Sequence, residues 1–380
     1  MKLPIGWRRL ALSDVADFLD QKRVPLEKTQ RENCSGPYPY YGASGVIDHV
    51  ARFIFDGDFV LLAEDGANIL NRSTPIAFKA NGRFWVNNHA HVLQPKSGID
   101  HDFLIEYLES LNYERFNTGS TQPKLNRQVC EQIPVIVPPP LDQKRLGELS
   151  VAWNSAIDKT ERLIAAKDHH YTHELSRLIS RGHHPRSHIS TFAHEISERN
   201  RGGNEARVLS VTNTRGFVLP EDQFERRVAS ADLSNYKAVR RGQYAYNPSR
   251  INVGSIARLD GWDDGVLSPM YVVFKLDESK VNSDYFFHWL DSHEARERIK
   301  KSAQGSVRET VSFSEFAALL VPLPDIGKQT SIARYLNTML EEISLLQAQV
   351  EALKTQKRGL MQKLLTGQWR LNEHEEVSHG

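Results

Sequence analysis

Towards the end of the chain, apolar residues recur in alternating steps of four and three: Ile332, Leu336, Met339, Ile343, Leu346, Val350, Leu353, Leu360 and Leu364. Nine of the ten positions in that series are apolar, Lys357 is the exception, and no proline interrupts it. A 3.5-residue period held over about five heptads predicts a coiled-coil helix. An equivalent series precedes it at Leu146, Ser150, Trp153, Ile157, Thr160, Ile164, Lys167, Tyr171, Glu174 and Leu178, with six of ten positions apolar. Leu149, Ala156 and Leu163 widen that weaker stripe. Two such helices are expected to pack on each other, each spanning roughly 54 Å for about 36 residues. The proline-rich stretches Pro134–Pro140 and Val321–Pro324 stand before them and are read as turns, because proline cannot continue a helix backwards.

The two helical series belong to a longer repeat. Leu175–Ser180 matches Met361–Thr366, Gly119-Ser120 matches Gly305-Ser306, and Val135, Pro138 and Gln143 match Val321, Pro324 and Gln329, all at an offset of 186. Upstream the offset is 182, aligning Asp102-Phe103 with Asp284-Tyr285 and Leu108 with Leu290. Two copies with so long a period mean a duplicated domain and not a solenoid. Before each long helix, β-rich runs such as Phe53–Phe55, Phe59–Leu62 and Tyr271–Phe274 are punctuated by Gly, Asn and Asp. Helices are predicted near Asp102–Leu111 and Ser283–Lys301. The expectation is an α+β chain with mixed domains at 1–140 and 182–324, long helices at 141–181 and 325–367, and a mobile tail at 368–380.

Composition adds less. The chain has 380 residues and a net charge of +1, with 40% hydrophobic and 25% charged residues, values ordinary for a soluble protein. Residues 181–260 hold thirteen Lys/Arg against eight Asp/Glu, mostly arginine, which suits phosphate and guanine. On charge alone, a solvated surface is the favoured reading. Two cysteines, Cys34 and Cys130, fit a reducing compartment, and neither a membrane-length run nor a signal-peptide pattern is seen, so a cytoplasmic location is expected.

A search for catalytic motifs finds no supported centre. There is no phosphate-binding loop. Ser268-Pro269-Met270-Tyr271 lacks the second proline of an amino-methyltransferase tetrapeptide and reads as a strand entering a sheet. Glu278-Ser279-Lys280 reads as a polar turn, and His169 and His173 as a solvated helix face without a second metal-binding pair.

The order of domain, long helix, domain, long helix resembles the specificity subunits of type I restriction–modification enzymes, over the chain to about Leu371. The boundary segment Ile133–Arg145, its echo at Val321–Gln329, the helix ending Leu360–Gly367 and the segment Arg240–Ser255 carry the resemblance. It implies a non-catalytic, DNA-binding subunit of two target-recognition domains in pseudo-two-fold arrangement, each reading half of a split target. It implies that an antiparallel helix pair sets the gap and docks two modification subunits. Those partners bring S-adenosylmethionine to methylate adenine N6, and restriction subunits using ATP and Mg²⁺ join them in some systems. No cofactor or metal is then expected on this chain.

Arginine or lysine recognises guanine, and asparagine or glutamine recognises adenine, in the major groove. In the second domain this points to Asn247, Ser249, Arg250 and Asn252, then Gln304, Ser306 and Arg308. Repeat counterparts are Gln122, Lys124 and Asn126, with Tyr41, Ser44, Asn68 and Arg72 as weaker candidates; a turn or capping role is open for each. The rival readings are a tandem-domain protein-binding adaptor without DNA specificity and an enzyme with an unrecognised nuclease or transferase centre.

Overall fold

The computed structural model describes residues 3–201, 207–219, 232–304 and 310–371. The chain divides into two compact units, one of residues 1–161 and 348–380, the other of residues 162–347. Two long helices, Pro140–Leu175 and Ile326–Leu365, each contribute one end to either unit.

The strands are β1 (Arg8–Ala11), β2 (Ala16–Phe18), β3 (Ser35–Gly42), β4 (Gly45–Val50), β5 (Phe55–Ala63), β6 (Ala77–Val86), β7 (Ala90–Pro95) and β8 (Pro134–Val137) in the first unit. Six of them form one sheet in the order β2-β7-β5-β6-β3-β4, antiparallel except where β3 meets β6. Alternation along β5 and β7 feeds two apolar clusters. One holds Val60, Leu62, Leu93, Phe103 and Leu146, the other Phe55, Phe59, Leu61, Phe84 and Val92.

The second unit has β9 (Arg186–His188), β10 (Ala193–Ile196), β11 (Ser210–Thr212), β12 (Gly216–Val218), β13 (Lys237–Arg240), β14 (Tyr244–Tyr246), β15 (Ile256–Arg258), β16 (Asp264–Leu267), β17 (Val272–Leu276) and β18 (Leu320–Pro322). Its largest sheet among the described residues runs β10-β17-β14-β15. Tyr244 stacks on Phe274, and Phe286 on Trp289, in the core beneath it.

Three local readings need correction. The proline stretches are not turns throughout: Pro134–Val137 is a strand paired with β1, and Leu320–Pro322 pairs with β9. A two-stranded ladder leaves alternate N–H groups outside the pairing, so a proline is tolerated there. Pro140 then occupies the first helical position, where its missing N–H costs nothing. The helix expected over Ser283–Lys301 breaks at Ser292, whose Oγ accepts from Ala295 N and donates to Trp289 O, so Ser283–Asp291 and His293–Gln304 are separate. Ser268–Met270 is the connection between β16 and β17, not a strand.

The long helices form an antiparallel coiled coil. In the first unit Lys354 Nζ reaches Glu161 at 2.8 Å, and in the second Lys167 Nζ reaches Glu342 at 2.8 Å. Every position of both 4/3 series is buried or half-buried. The polar members all have partners: Ser150 and Lys357 bond Glu106, Thr160 bonds Ala156 O, and Glu174 bonds Arg177.

Candidate nucleic-acid interface

The same joint fixes each globular part to its helices. His101–Glu109 starts at Asp100, whose Oδ1 accepts from Phe103 N, and Ser283–Asp291 starts at Asn282, whose Oδ1 accepts from Tyr285 N. Against each cap lies a glutamine of the long helix. Gln143 accepts from Asp100 N and donates to Gly98 O and Pro138 O. Gln329 accepts from Asn282 N and donates to Lys280 O and Pro324 O. Both glutamines are 1% exposed. The repeat in sequence is therefore a repeat of one hydrogen-bonded joint.

In the first unit the loop Asn117–Asn126 projects beside the ends of β5 and β7. Asn117 Oδ1 accepts from both Gly119 N and Lys124 N, closing the loop. A Cβ on Gly119 would stand 1.8 Å from Gln122 O, so no other residue fits this approach. Gln122 and Asn126 are exposed, whereas the Lys124 ammonium lies 3.4 Å from Glu64. Ser44 is exposed in the β3–β4 turn.

Beneath that loop is a charged cluster the sequence did not reveal. His91, on β7, is 0% exposed; its Nδ1 lies 2.7 Å from Asp20 Oδ2 and its Nε2 2.8 Å from Leu125 O. Both ring nitrogens face acceptors, so both must carry protons. Burial opposes that charge, but the hydrogen bond that His91 donates to Asp20 and the neighbouring Cys130 thiol outweigh it, raising the His91 pKa to about 10. Arg23 bridges Glu64 and Ala90 O at 2.7 Å each. Asp20 and His91 are too far apart in sequence for any spacing rule to pair them.

Other candidates have contacts within the fold. Tyr41 stacks on Phe78 at 6.0 Å. Asn68 is engaged by Thr74 and Ser73. Arg72, in left-handed conformation, binds Glu109 O, Glu109 Oε2 and Leu111 O. Asn247 is buried and its Oδ1 accepts from Ser249 N.

In the second unit β14 and β15 are joined by a loop pinned from below and open above. Ile251 is buried among Ala295, Ile299 and Ala303, Ser255 Oγ donates to Val211 O, and Val311 N donates to Pro248 O. Gly254 turns the chain at φ +94°. Ser249, Arg250 and Asn252 are exposed on the rim. Gln304 ends the helix His293–Gln304, and Ser306 and Arg308 lie outside the described residues. Among the described residues of the basic stretch, five arginines are paired with acids: Arg186, Arg207, Arg240, Arg241 and Arg258 with Glu294, Asp264, Glu198, Asp263 and Asp284. At those five positions the positive charge is not bare.

Among the described residues, no group of three or more His, Cys, Asp and Glu is placed to hold a metal ion. No described helix is long and apolar enough to cross a membrane.

Residues 4–150 match the family described as the type I restriction modification DNA specificity domain. This part of the chain belongs to that family. A putative type I restriction enzyme specificity subunit of Haemophilus influenzae is 39% identical over 136 residues, which are 36% of this chain and about a third (34%) of that relative. A putative type I specificity subunit of Mycoplasma pneumoniae is 22% identical over 87% of this chain and 89% of its own length. The crystal structure of a type I restriction–modification S subunit from M. genitalium has the same fold, with TM-score 0.60, 14% identity and coverage of 98% and 99% of the two chains. The specificity-domain family thus accounts for the first globular part, and the specificity-subunit fold for the whole chain.

Proposed function

We propose that this chain is the non-catalytic subunit that gives a type I restriction–modification complex its DNA sequence specificity, with residues 1–140 and 182–324 as target-recognition domains. The match of residues 4–150 to a DNA specificity domain carries this reading, and the recurrence of the Gln143 joint at Gln329 extends it to the second unit. Each domain reads one half of a split target. Ser44, Gln122 and Asn126 face one half-site, and Ser249, Arg250 and Asn252 the other. The long helices hold the two readers and dock two modification subunits, for which the exposed Val151, Leu163, Leu340 and Leu345 offer apolar contacts. S-adenosylmethionine, and ATP with Mg²⁺ where restriction subunits join, belong to those partners.

Co-expression with the modification partner in a host free of adenine methylation, followed by genome-wide mapping of methylated adenine, tests the proposal. A split, asymmetric motif is expected only when both chains are present. No methylation from an assembled complex would favour the adaptor reading. Arg250→Ala is expected to relax preference at one base pair by about 1–3 kcal/mol. Uniform weakening across all sequences would make Arg250 a phosphate contact instead.

A further inference from the structure

Glu106 and His288 occupy the same place on the repeated capped helix, 182 residues apart, and Tyr171 and Lys357 the same place on the long helices, 186 apart. Their chemistry differs between copies, and it differs in concert. In the first unit Lys357 Nζ is 2.6 Å from Glu106 Oε2, with side-chain exposures of 15% and 8%. Ser150 Oγ donates to the same oxygen at 2.5 Å. The first contact is an ion pair removed from water.

In the second unit Tyr171 Oη lies 2.9 Å from His288 Nδ1, and His288 Nε2 lies 2.8 Å from Asn337 Oδ1. Asn337 Nδ2 donates to Asp284 Oδ2, which orients its amide and leaves Oδ1 to accept. His288 Nε2 therefore carries a proton, and burial, which lowers the His288 pKa, leaves Nδ1 without one to accept from the Tyr171 hydroxyl. This second contact is a neutral pair.

Each contact joins the globular part of one copy to the long helix of the other. Like-with-like pairing, as between two copies of the chain, would set Glu106 against Tyr171 and Lys357 against His288. A buried carboxylate and a buried ammonium would then each lack a counter-charge, the arrangement that costs most inside a protein. Neither native pair has that defect. We propose that Glu106–Lys357 and His288–Tyr171 are a matching code that commits each globular domain to the long helix of the other copy and rejects the like helix of a second chain. The code concerns assembly and does not depend on the DNA reading above.

Hydrogen exchange on the full-length chain, read at the amides of His101–Glu109, tests the code by transplanting one pair onto the other. Glu106→His and Lys357→Tyr are each expected to cut protection at least about tenfold. The double variant, which carries the second unit's pair, is expected to return to within about threefold of the parent. Loss in the double variant equal to the product of the single losses would overturn the proposal. If that double variant does not fold, Tyr171→Lys with His288→Glu is held to the same criterion at the amides of Ser283–Asp291. Failure of both double variants to fold would also overturn it. Rejection of a second chain is read with two differently tagged full-length copies made together. Lys357→Tyr should raise recovery of mixed-copy complexes at least about fivefold, and recovery equal to the parent's would overturn the selective role.

Discussion

Replacing His91 with leucine is expected to destabilise the first unit by about 3–5 kcal/mol, because it leaves Asp20 as a buried carboxylate without its cation. Asp20 would keep Val92 N and a 3.7 Å approach to Arg23, but it would lose the 2.7 Å bond to the imidazolium. Leu125 O would lose its side-chain donor as well, one of several bonds that hold the Gln122–Asn126 loop. The same pair predicts the pH response. Free histidine titrates near 6.5, and in the folded unit His91 holds its proton to about 10. Its contribution is therefore fully present below pH 6.5 and is lost as the pH rises from 6.5 through 10. Asp20 acts at the other end. Its pKa is lowered although burial opposes this, since the His91 hydrogen bond and charge favour the carboxylate, so its contribution is lost as the pH falls below its ordinary range. Denaturant unfolding at a series of pH values checks both limbs. Glu64, Arg23, Lys124 and the Cys130 thiol surround the pair. A parent whose stability is flat between pH 6.5 and 10, or whose decline His91→Leu leaves intact, would show that His91 is neutral in the fold.

Gln143→Leu should cost the first unit about 3 kcal/mol, and Gln329→Leu the second unit a similar amount, because each removes three hydrogen bonds from one buried joint. Leucine fills much of the volume but leaves Asp100 N, Gly98 O and Pro138 O unpaired in the first case. Gln143→Glu separates the two sides of the amide. It keeps an acceptor for Asp100 N but turns repulsive oxygen towards Gly98 O and Pro138 O, so it should rescue nothing. Calorimetry on each variant provides the measurement. A loss under about 1 kcal/mol for both leucine variants would mean that water replaces the amide and that the joint is not sealed.

The chain's own pattern determined its periodic elements. The 4/3 series from Ile332 to Leu364 specifies a long helix with one buried stripe, since only that spacing keeps a seam facing its partner. The 186-residue offset likewise disclosed the duplication, and the paired glutamines at 143 and 329 were visible as repeat matches before their hydrogen bonds were known. Loops rich in Gly, Pro and Asn marked where exposed polar side chains are presented, as at Ser249–Asn252.

What needed the tertiary structure were the pairings. A charged residue reads the same in sequence whether it meets water, DNA or an acid sixty positions away. Arg241 turned out to face Asp263, and Arg72 to face Glu109. Pro134 looked like a stop and is the first residue of a strand, because the freedom to lack an N–H is decided by the neighbouring strand. Lys357 read as a flaw in an apolar seam until Glu106, 251 residues earlier, was seen beside it. Local spacing encodes which face of an element is buried. Which charge meets which is settled only when distant segments pack, since the penalty for a mismatch arises only once water has been excluded.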